Sequence, residues 1–223
     1  MTQATGILAL WNNCAPGREA EYEYWYQTEH LHERLSVPGF LAVRRYQALE
    51  AKPRYFTFYE TASPEVLYTT EYLDRLDDPT PLTQTIMSEV FLDMNRTACR
   101  RTICFGSYGG GNVLTVRTDQ LPTDQLLNDW AAPVVGQSTL TRFEVWRSVV
   151  KTDQAPSVEE KLRGRDGRIE SCLYMELDST ADHVSILSRL NAVLDVDAAD
   201  VGLYGLICGL PSEPPAAAEA SQP

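Results

Sequence analysis

The sequence predicts an α+β chain: two tandem β-α-β-β-α-β units that bury the bare faces of their sheets against each other, closing a pseudo-dimeric α+β barrel in one polypeptide. Three observations predict it. Short apolar runs and helical stretches follow the order β-α-β-β-α-β through residue 108. The run Gly109-Gly110-Gly111 then breaks the chain, and the order repeats to residue 210. Finally, FLAVRRYQA lies over LTRFEVWRS so that Phe40, Val43 and Tyr46 meet Leu140, Phe143 and Trp146, and YFTFYETAS lies over CLYMELDST. A four-stranded β-α-β-β-α-β sheet carries both helices on one face, so its other face must find a cover.

In the first unit, residues 6–13 (GILALWNN) are an apolar run of strand length, ended by Pro16-Gly17. Residues 18–36 have helical periodicity and stop at Val37-Pro38-Gly39. Residues 40–48 read as a strand, Lys52-Pro53 as a turn, and 55–60 (YFTFYE) as an aromatic strand. Ser63-Pro64-Glu65 opens a helix, with Ser at the N-cap and Pro at the first helical position. It runs to about Leu76, Asp77-Asp78-Pro79-Thr80-Pro81 interrupts it, and a further helical stretch reaches about Asp93. Residues 100–108 (RRTICFGSY) form the last strand.

In the second unit, 112–118 is a strand and Leu121-Pro122-Thr123 starts a helix ending near Val135-Gly136. Residues 139–149 are a strand, and 151–167 a polar excursion carrying a Gly-Arg-Asp-Gly turn. Residues 168–177 are a strand, 180–194 a helix capped by Ser179 or Thr180, and 201–210 the final strand. The division is therefore 1–108, 109–210 and a tail, 211–223. That tail is rich in Pro, Ala, Glu and Ser without a large apolar residue, and it reads as disordered.

Composition removes several function classes. The 223 residues carry 19 Lys+Arg against 31 Asp+Glu, a net charge of −12. An acidic surface repels a phosphate backbone and an anionic membrane alike. No apolar run approaches the ~20 residues of a spanning helix, and the N-terminus lacks a signal-peptide pattern. Five cysteines without a Cys-x-x-Cys read as reduced thiols of a cytoplasmic protein. A monomer (pseudo-dimer) or a homodimer fits equally.

The first helix carries the candidate chemistry. At ~100° per residue, Ala20, Tyr24, Thr28, Leu31 and Leu35 share one stripe, expected to face the core. Glu23, Gln27, His30 and Arg34 flank it on one side, with Tyr26 and Glu33 beyond. Glu21, Trp25, Glu29 and His32 flank it on the other. His30 and His32 resemble a His-x-His metal pair, but on an unbroken helix they diverge by ~200°, so no metal is expected. His30 is the candidate acid/base, beside the stripe where a pocket between helix and sheet would open. Glu33, at i+3, can accept its ring N–H and fix the tautomer. Arg34 can lower its pKa or bind an anion, and Tyr26 can donate a proton, which completes a general acid/base set. The competing reading is a solvated helix face of Glu29, Glu33 and Arg34 with His30 near its end. His183, beside Asp182, reads as a surface residue.

Trp25 and, from the strands, Trp11, Tyr46, Phe56 and Phe58 are candidate aromatic linings; ordinary core is the competing reading for each. Arg44 and Arg45 point to opposite faces of their strand, and a buried Arg needs a carboxylate. Glu60 is one candidate partner, and Arg100 and Arg101 pose the same question. Gly109-Gly110-Gly111 precedes a strand and lacks Gly-Lys-Ser/Thr, so it is not a phosphate loop. Gly-x-Ser-x-Gly and nucleotide signatures are absent, and no organic cofactor is expected.

The string WYQTEHLHERLSVPGFLAVRRYQA resembles the signature of the dimeric α+β barrel superfamily, the ferredoxin-like group that includes EthD-like proteins. The pattern is Trp25-Tyr26, Thr28-Glu29-His30, Glu33-Arg34-Leu35 and Val37-Pro38-Gly39-Phe40. PRYFTFYE and the helix ending in LDDPTP also fit tandem bacterial members. The resemblance covers residues 6–106 well and the second half in element order alone. Many relatives have Pro where this chain has His32, which leaves the role of His32 open. The resemblance implies tandem ferredoxin-like units and a range of chemistries: cofactor-free monooxygenases, polyketide cyclases, muconolactone isomerases, dehydratases, decarboxylases and haem-degrading enzymes. Many of these act on aromatic molecules in a cleft between helix and sheet, with the helix His as acid or base.

The resulting expectation is a cofactor-independent lyase or isomerase acting on a small aromatic or phenolic catabolic intermediate. His30, Glu33 and Tyr26 would carry the chemistry. Arg34, Arg44, Trp25, Trp11, Tyr46 and Phe58 would bind substrate. The alternatives are a non-catalytic accessory or binding protein and a cofactor-free or haem-dependent monooxygenase.

Overall fold

The computed structural model describes residues 5–107, 109–149, 155–180, 182–197 and 199–212. Eight strands close one barrel: β1 (Gly6–Cys14), β2 (Phe40–Glu50), β3 (Tyr55–Thr61), β4 (Phe91–Phe105), β5 (Asn112–Thr118), β6 (Leu140–Ser148), β7 (Ser171–Leu177) and β8 (Asp200–Pro211). Around the barrel the order is β1-β3-β2-β8-β5-β7-β6-β4. All the pairings are antiparallel. The first four strands thus lie in the order β4-β1-β3-β2 and the last four as β8-β5-β7-β6. Pairs β2–β8 and β4–β6 join the two arcs, so no strand edge is left to template aggregation.

Strand periodicity of two separates two cores. Ile7, Ala9 and Trp11 of β1, Tyr46 of β2, Phe56 and Phe58 of β3, Trp146 of β6, Tyr174 of β7 and Tyr204 of β8 point into the barrel. Their rings stack: Trp11 on Phe56 at 4.8 Å between centroids and Trp146 on Tyr174 at 4.7 Å. The interior is a packed aromatic column. Leu8, Leu10, Val43, Tyr55 and Tyr59 face outward and are covered by the helices of the first half. Leu114, Val116, Phe143, Val145, Leu173 and Met175 do the same in the second half.

The first-half cover is α1 (Glu19–Trp25), a π-helical turn (Tyr26–His30), α2 (Leu31–Leu35), a 3-10 turn (Pro64–Tyr68), α3 (Thr70–Asp77) and α4 (Pro81–Glu89). Helix α5 (Asp124–Ala131) and α7 (His183–Leu190) cover the second half. Helix α4 is capped by Thr80, whose hydroxyl accepts the Thr83 N–H at 3.1 Å, and α5 by Thr123, which accepts the Leu126 N–H. Among the described residues no helix is long and apolar enough to cross a membrane. The five cysteines are free thiols.

Four expectations are corrected. Ser63-Pro64-Glu65 opens a 3-10 turn, and the α-helix begins only at Thr70. Strand β4 starts at Phe91 rather than Arg100, because Phe91 and Leu92 pair with Cys14 and Asn13 beyond a bulge in β4, where Asp93 has a φ of 54°. The polar excursion contains a helix, α6 (Val158–Arg163), capped by Ser157. Helix α7 is shorter than 180–194 and carries no side-chain cap at its N-terminus. The predicted disordered tail begins within β8, which runs to Pro211, and its residues 213–223 lie outside the described ones.

Candidate functional site

A chain of aromatic and charged side chains lies between the outer face of the first-half sheet and its helices. The π-turn builds it. A regular helix drifts about 40° over four residues, so residues at that spacing leave a single line. The wider turn at Tyr26–His30 takes up one extra residue, and Tyr22, Tyr26, His30 and Arg34 are all buried. The expected core stripe is thereby corrected: Tyr24 is 61% exposed and Thr28 is exposed, while Trp25, Tyr26 and His30 face inward.

His30 is 5% exposed. Its ring stacks on Trp25 at 4.0 Å and meets Tyr26 edge-on at 5.4 Å. Burial, with the Arg34, Arg45 and Arg163 guanidinium groups adding to it, holds its pKa well below the ordinary 6.5, so the imidazole is neutral. Its Nδ1 lies 3.9 Å from Glu33 Oε2, beyond hydrogen-bond reach. Both atoms are buried without a hydrogen-bond partner among the described residues. Burial raises the Glu33 carboxyl above its ordinary value, against the Arg34 guanidinium, which pulls it down. Tyr26 is buried and its phenol is raised by burial. The Arg45 guanidinium lies 3.6 Å over the Tyr26 ring and is held by Glu23 at 2.8 and 3.0 Å.

Beside His30 is a cavity of about 20 Å³, room for about one water. Tyr26, Arg34, Tyr59, Tyr72, Arg96 and Glu159 are among its walls. Arg34 bonds Glu159, and its other terminal nitrogen, Nη1, is buried without a hydrogen-bond partner among the described residues. Arg96 donates to the Tyr72 hydroxyl at 2.6 Å. Glu159 comes from α6, far along the chain, and Arg163 on the same helix stands 3.5 Å from it.

The structure brings together His30, Tyr26, Glu33 and Arg34 and separates the other candidates. Trp25 backs His30 and donates its indole N–H to Thr83 at 2.9 Å rather than lining the cavity. Trp11, Tyr46 and Phe58 occupy the barrel interior, on the opposite face of the sheet. Arg44 points to that interior face too and pairs with Glu176. Two-residue alternation decides this: on strands that supply Leu10 or Tyr59 to the helix side, Trp11 and Phe58 must turn away. Glu60 pairs with Arg101 at 3.2 Å, and Arg100 with Glu65 at the surface. His32 is exposed and diverges from His30. His183 is half-buried, its Nδ1 2.7 Å from the Thr180 carbonyl oxygen.

Sequence reasoning missed Tyr59, Tyr72, Arg96, Glu159 and Arg163 as cavity residues. One signal was available for the last two. Ser157-x-x-Glu160 is a capping pattern, and Ser157 Oγ accepts the Glu160 N–H at 3.2 Å. It marks a helix on which Glu159 and Arg163 stand four apart, on one face.

The imidazole gives a stability signature. An unfolded chain titrates His near 6.5, while the folded chain resists protonation until lower pH. The unfolded state therefore binds more protons below 6.5, and stability falls with pH there. The melting-temperature difference between wild type and His30→Gln is expected to shift against wild type between pH 7.5 and 5.5. A pH-independent difference would contradict a neutral buried His30.

No family model matches the sequence, and no curated protein does. Solved structures do. An anthrone oxidase-like protein matches with a TM-score of 0.57 at 13% identity, over 96% of this chain and 96% of that one. A candidate monooxygenase of Fusobacterium nucleatum gives 0.55 at 7% identity, over 93% and 95%. A candidate chlorite dismutase gives 0.58 at 10% identity, over 93% and 96%. At these identities the likeness is one of fold, and that fold is a closed antiparallel barrel of eight strands with helices packed on its outside.

Proposed function

We propose that the chain is an enzyme in which neutral His30 acts as general base on a small phenolic or enolisable aromatic molecule. Tyr26 and Arg34 stand on the same helical line to steady the anion that forms. One observation carries this reading: a buried, uncharged imidazole with Nδ1 unpartnered among the described residues, beside a cavity and a raised carboxyl. The sequence order and the repeated strand order support two tandem ferredoxin-like units, 1–108 and 109–210, with the His30 helix in the first and Glu159 reaching the site from the second. The Trp25-to-Phe40 signature supports an EthD-like relationship.

From the anion, return of the proton by the His30 imidazolium to another carbon gives isomerisation, its delivery to a departing hydroxide gives dehydration with release of water, and attack of the anion on a neighbouring carbonyl gives cyclisation; a substrate carboxylate that leaves as CO₂ gives decarboxylation once the carbanion takes up a proton. The anthrone oxidase-like and monooxygenase neighbours favour a second reading, in which the same carbanion or phenolate meets dioxygen. Haem is the third possibility raised by the family resemblance, and the residues at His30 do not fit it. An iron binds imidazole through a ring nitrogen, and His30 Nδ1, which makes no hydrogen bond among the described residues, is buried 3.9 Å from Glu33 Oε2 with no open approach.

The test uses phenolic and 1,3-dicarbonyl aromatic compounds in D₂O. Wild type is expected to exchange an acidic C–H for deuterium or to form product, and His30→Ala to do neither. An oxygen electrode assigns the pathway, since uptake with the same compounds indicates oxygenation and its absence indicates the lyase or isomerase route. Equal activity of wild type and His30→Ala would overturn the proposal.

A further inference from the structure

We propose that the Arg34 site takes a carboxylate, that of a small aromatic acid, and that α6 is its lid, with the Glu159 carboxylate holding the substrate's place when the lid is shut. This rests on reading the His30 cavity as a ligand site. Arg34 is 2% exposed and Glu159 is 3% exposed. Their bond joins α2 of the first half to α6, which belongs to the β6–β7 connection of the second half. Arg34 is one helical turn from His30 and lines the same cavity, and its Nη1 makes no hydrogen bond among the described residues. A planar guanidinium with one nitrogen on Glu159 and the other making no hydrogen bond among the described residues, 3.8 Å from Glu33 Oε1, can take a second carboxylate bidentately once Glu159 withdraws.

Access is built beside it. A larger cavity of about 220 Å³ lies between α3, β4 and α6, and it shares Leu76 and Arg96 with the small one. Leu67 and Leu73 give it an apolar wall, while Arg168 and Glu160 give it charge. Its size suits one aromatic ring with a small substituent. Helix α6 has six residues and ends at Gly164, whose φ of 90° is open to glycine at little cost. Beyond it, Gly167 is tied to β4: its N–H bonds the Met94 oxygen at 2.7 Å, and its oxygen accepts the Arg96 N–H at 2.9 Å. Rotation at Gly164 would lift α6, breaking the Arg163–Asp166 pair (2.8 and 2.7 Å) that spans the hinge and the Val158 N–H bond to Asp77, carrying Glu159 away from Arg34 and joining the two cavities while the segment from Gly167 stays in place.

Because Glu159 is tethered, it competes with any free carboxylate at high effective concentration. Isothermal titration with benzoate and with benzyl alcohol tests this. Glu159→Gln is expected to bind benzoate at least tenfold more tightly than wild type, with no gain for benzyl alcohol. Adding Arg34→Gln is expected to abolish the gain. Benzoate affinity unchanged by Glu159→Gln, or a gain that survives Arg34→Gln, would overturn the assignment. Should Glu159→Gln fail to fold, amide exchange in wild type decides: saturating benzoate must speed exchange in residues 158–163, and unchanged or slower exchange sinks the idea. Since the readout is binding, His30→Ala is expected to retain it. An inactive His30→Ala with no benzoate gain in Glu159→Gln would defeat the lid alone, and the converse would defeat the general-base reading alone.

Discussion

Replacing His30 with alanine is expected to lower kcat/KM by about 10²–10⁴-fold, the usual contribution of a positioned general base, while the protein stays folded. The imidazole is the neutral base beside the cavity, and alanine offers no proton acceptor in its place. The structural cost is modest. Loss of the stack on Trp25 and the edge contact with Tyr26 is worth about 0.5–1.5 kcal/mol per aromatic pair, against a total stability of roughly 5–15 kcal/mol. No buried partner is stranded, because His30 Nδ1 has none among the described residues. Wild-type activity should persist as pH falls through 6.5 and fail only once the depressed folded pKa is reached, because the uncharged ring is the active form. Circular dichroism melts and a pH–rate profile check both halves of the claim. An active alanine variant would exclude His30 from the chemistry.

Glu144→Ala is expected to cost about 3–5 kcal/mol, the range for removing one partner from a buried charge network. At roughly 2–4 °C per kcal/mol for a chain of this size, the melting temperature drops by about 6–20 °C. Glu144 is 1% exposed inside the barrel. It accepts from Arg101 Nε at 2.7 Å, Arg142 Nε at 2.6 Å and Trp146 Nε1 at 2.7 Å. Alanine would leave two guanidinium groups short of countercharge and the indole N–H without its acceptor, on strands that form the β4–β6 seam. Arg101 keeps Glu60 at 3.2 Å, which limits the loss. Arg100→Ala is the contrast. Its pair with Glu65 is solvent-exposed, and such pairs contribute about 0–1 kcal/mol. Equal melting of the two variants would show that the barrel network does not hold the seam.

The barrel was legible where its strands are central. Within residues 6–13, 55–60, 112–118 and 168–177, Ile7–Asn12, Tyr55–Tyr59, Val113–Val116 and Ser171–Leu177 are buried on both faces and mostly apolar, because helices cover one side of the sheet and the aromatic column the other. It was not legible at 91–99, where FLDMNRTAC has no strand pattern and pairing along β1 makes the strand. His30, Tyr26, Glu33 and Arg34 were legible because they share one helix. Their facing was misread because a π-turn carries no signature in a 100° projection.

The sequence by itself determined the order of the eight strands, the acidic balance of charge, the break at Gly109-Gly110-Gly111 and the helix that holds His30, all of which are local properties of composition and period. Only the tertiary structure decided which arginine faces which carboxylate. Arg45 lies beside Tyr26 with Glu23, Arg44 inside the barrel with Glu176, and Arg34 against Glu159 of α6. The reason is that a buried charge is satisfied by whatever opposite charge the closed fold brings within a few ångströms. For Arg34 that charge comes from the other half of the chain, where nothing in the sequence near His30 could announce it.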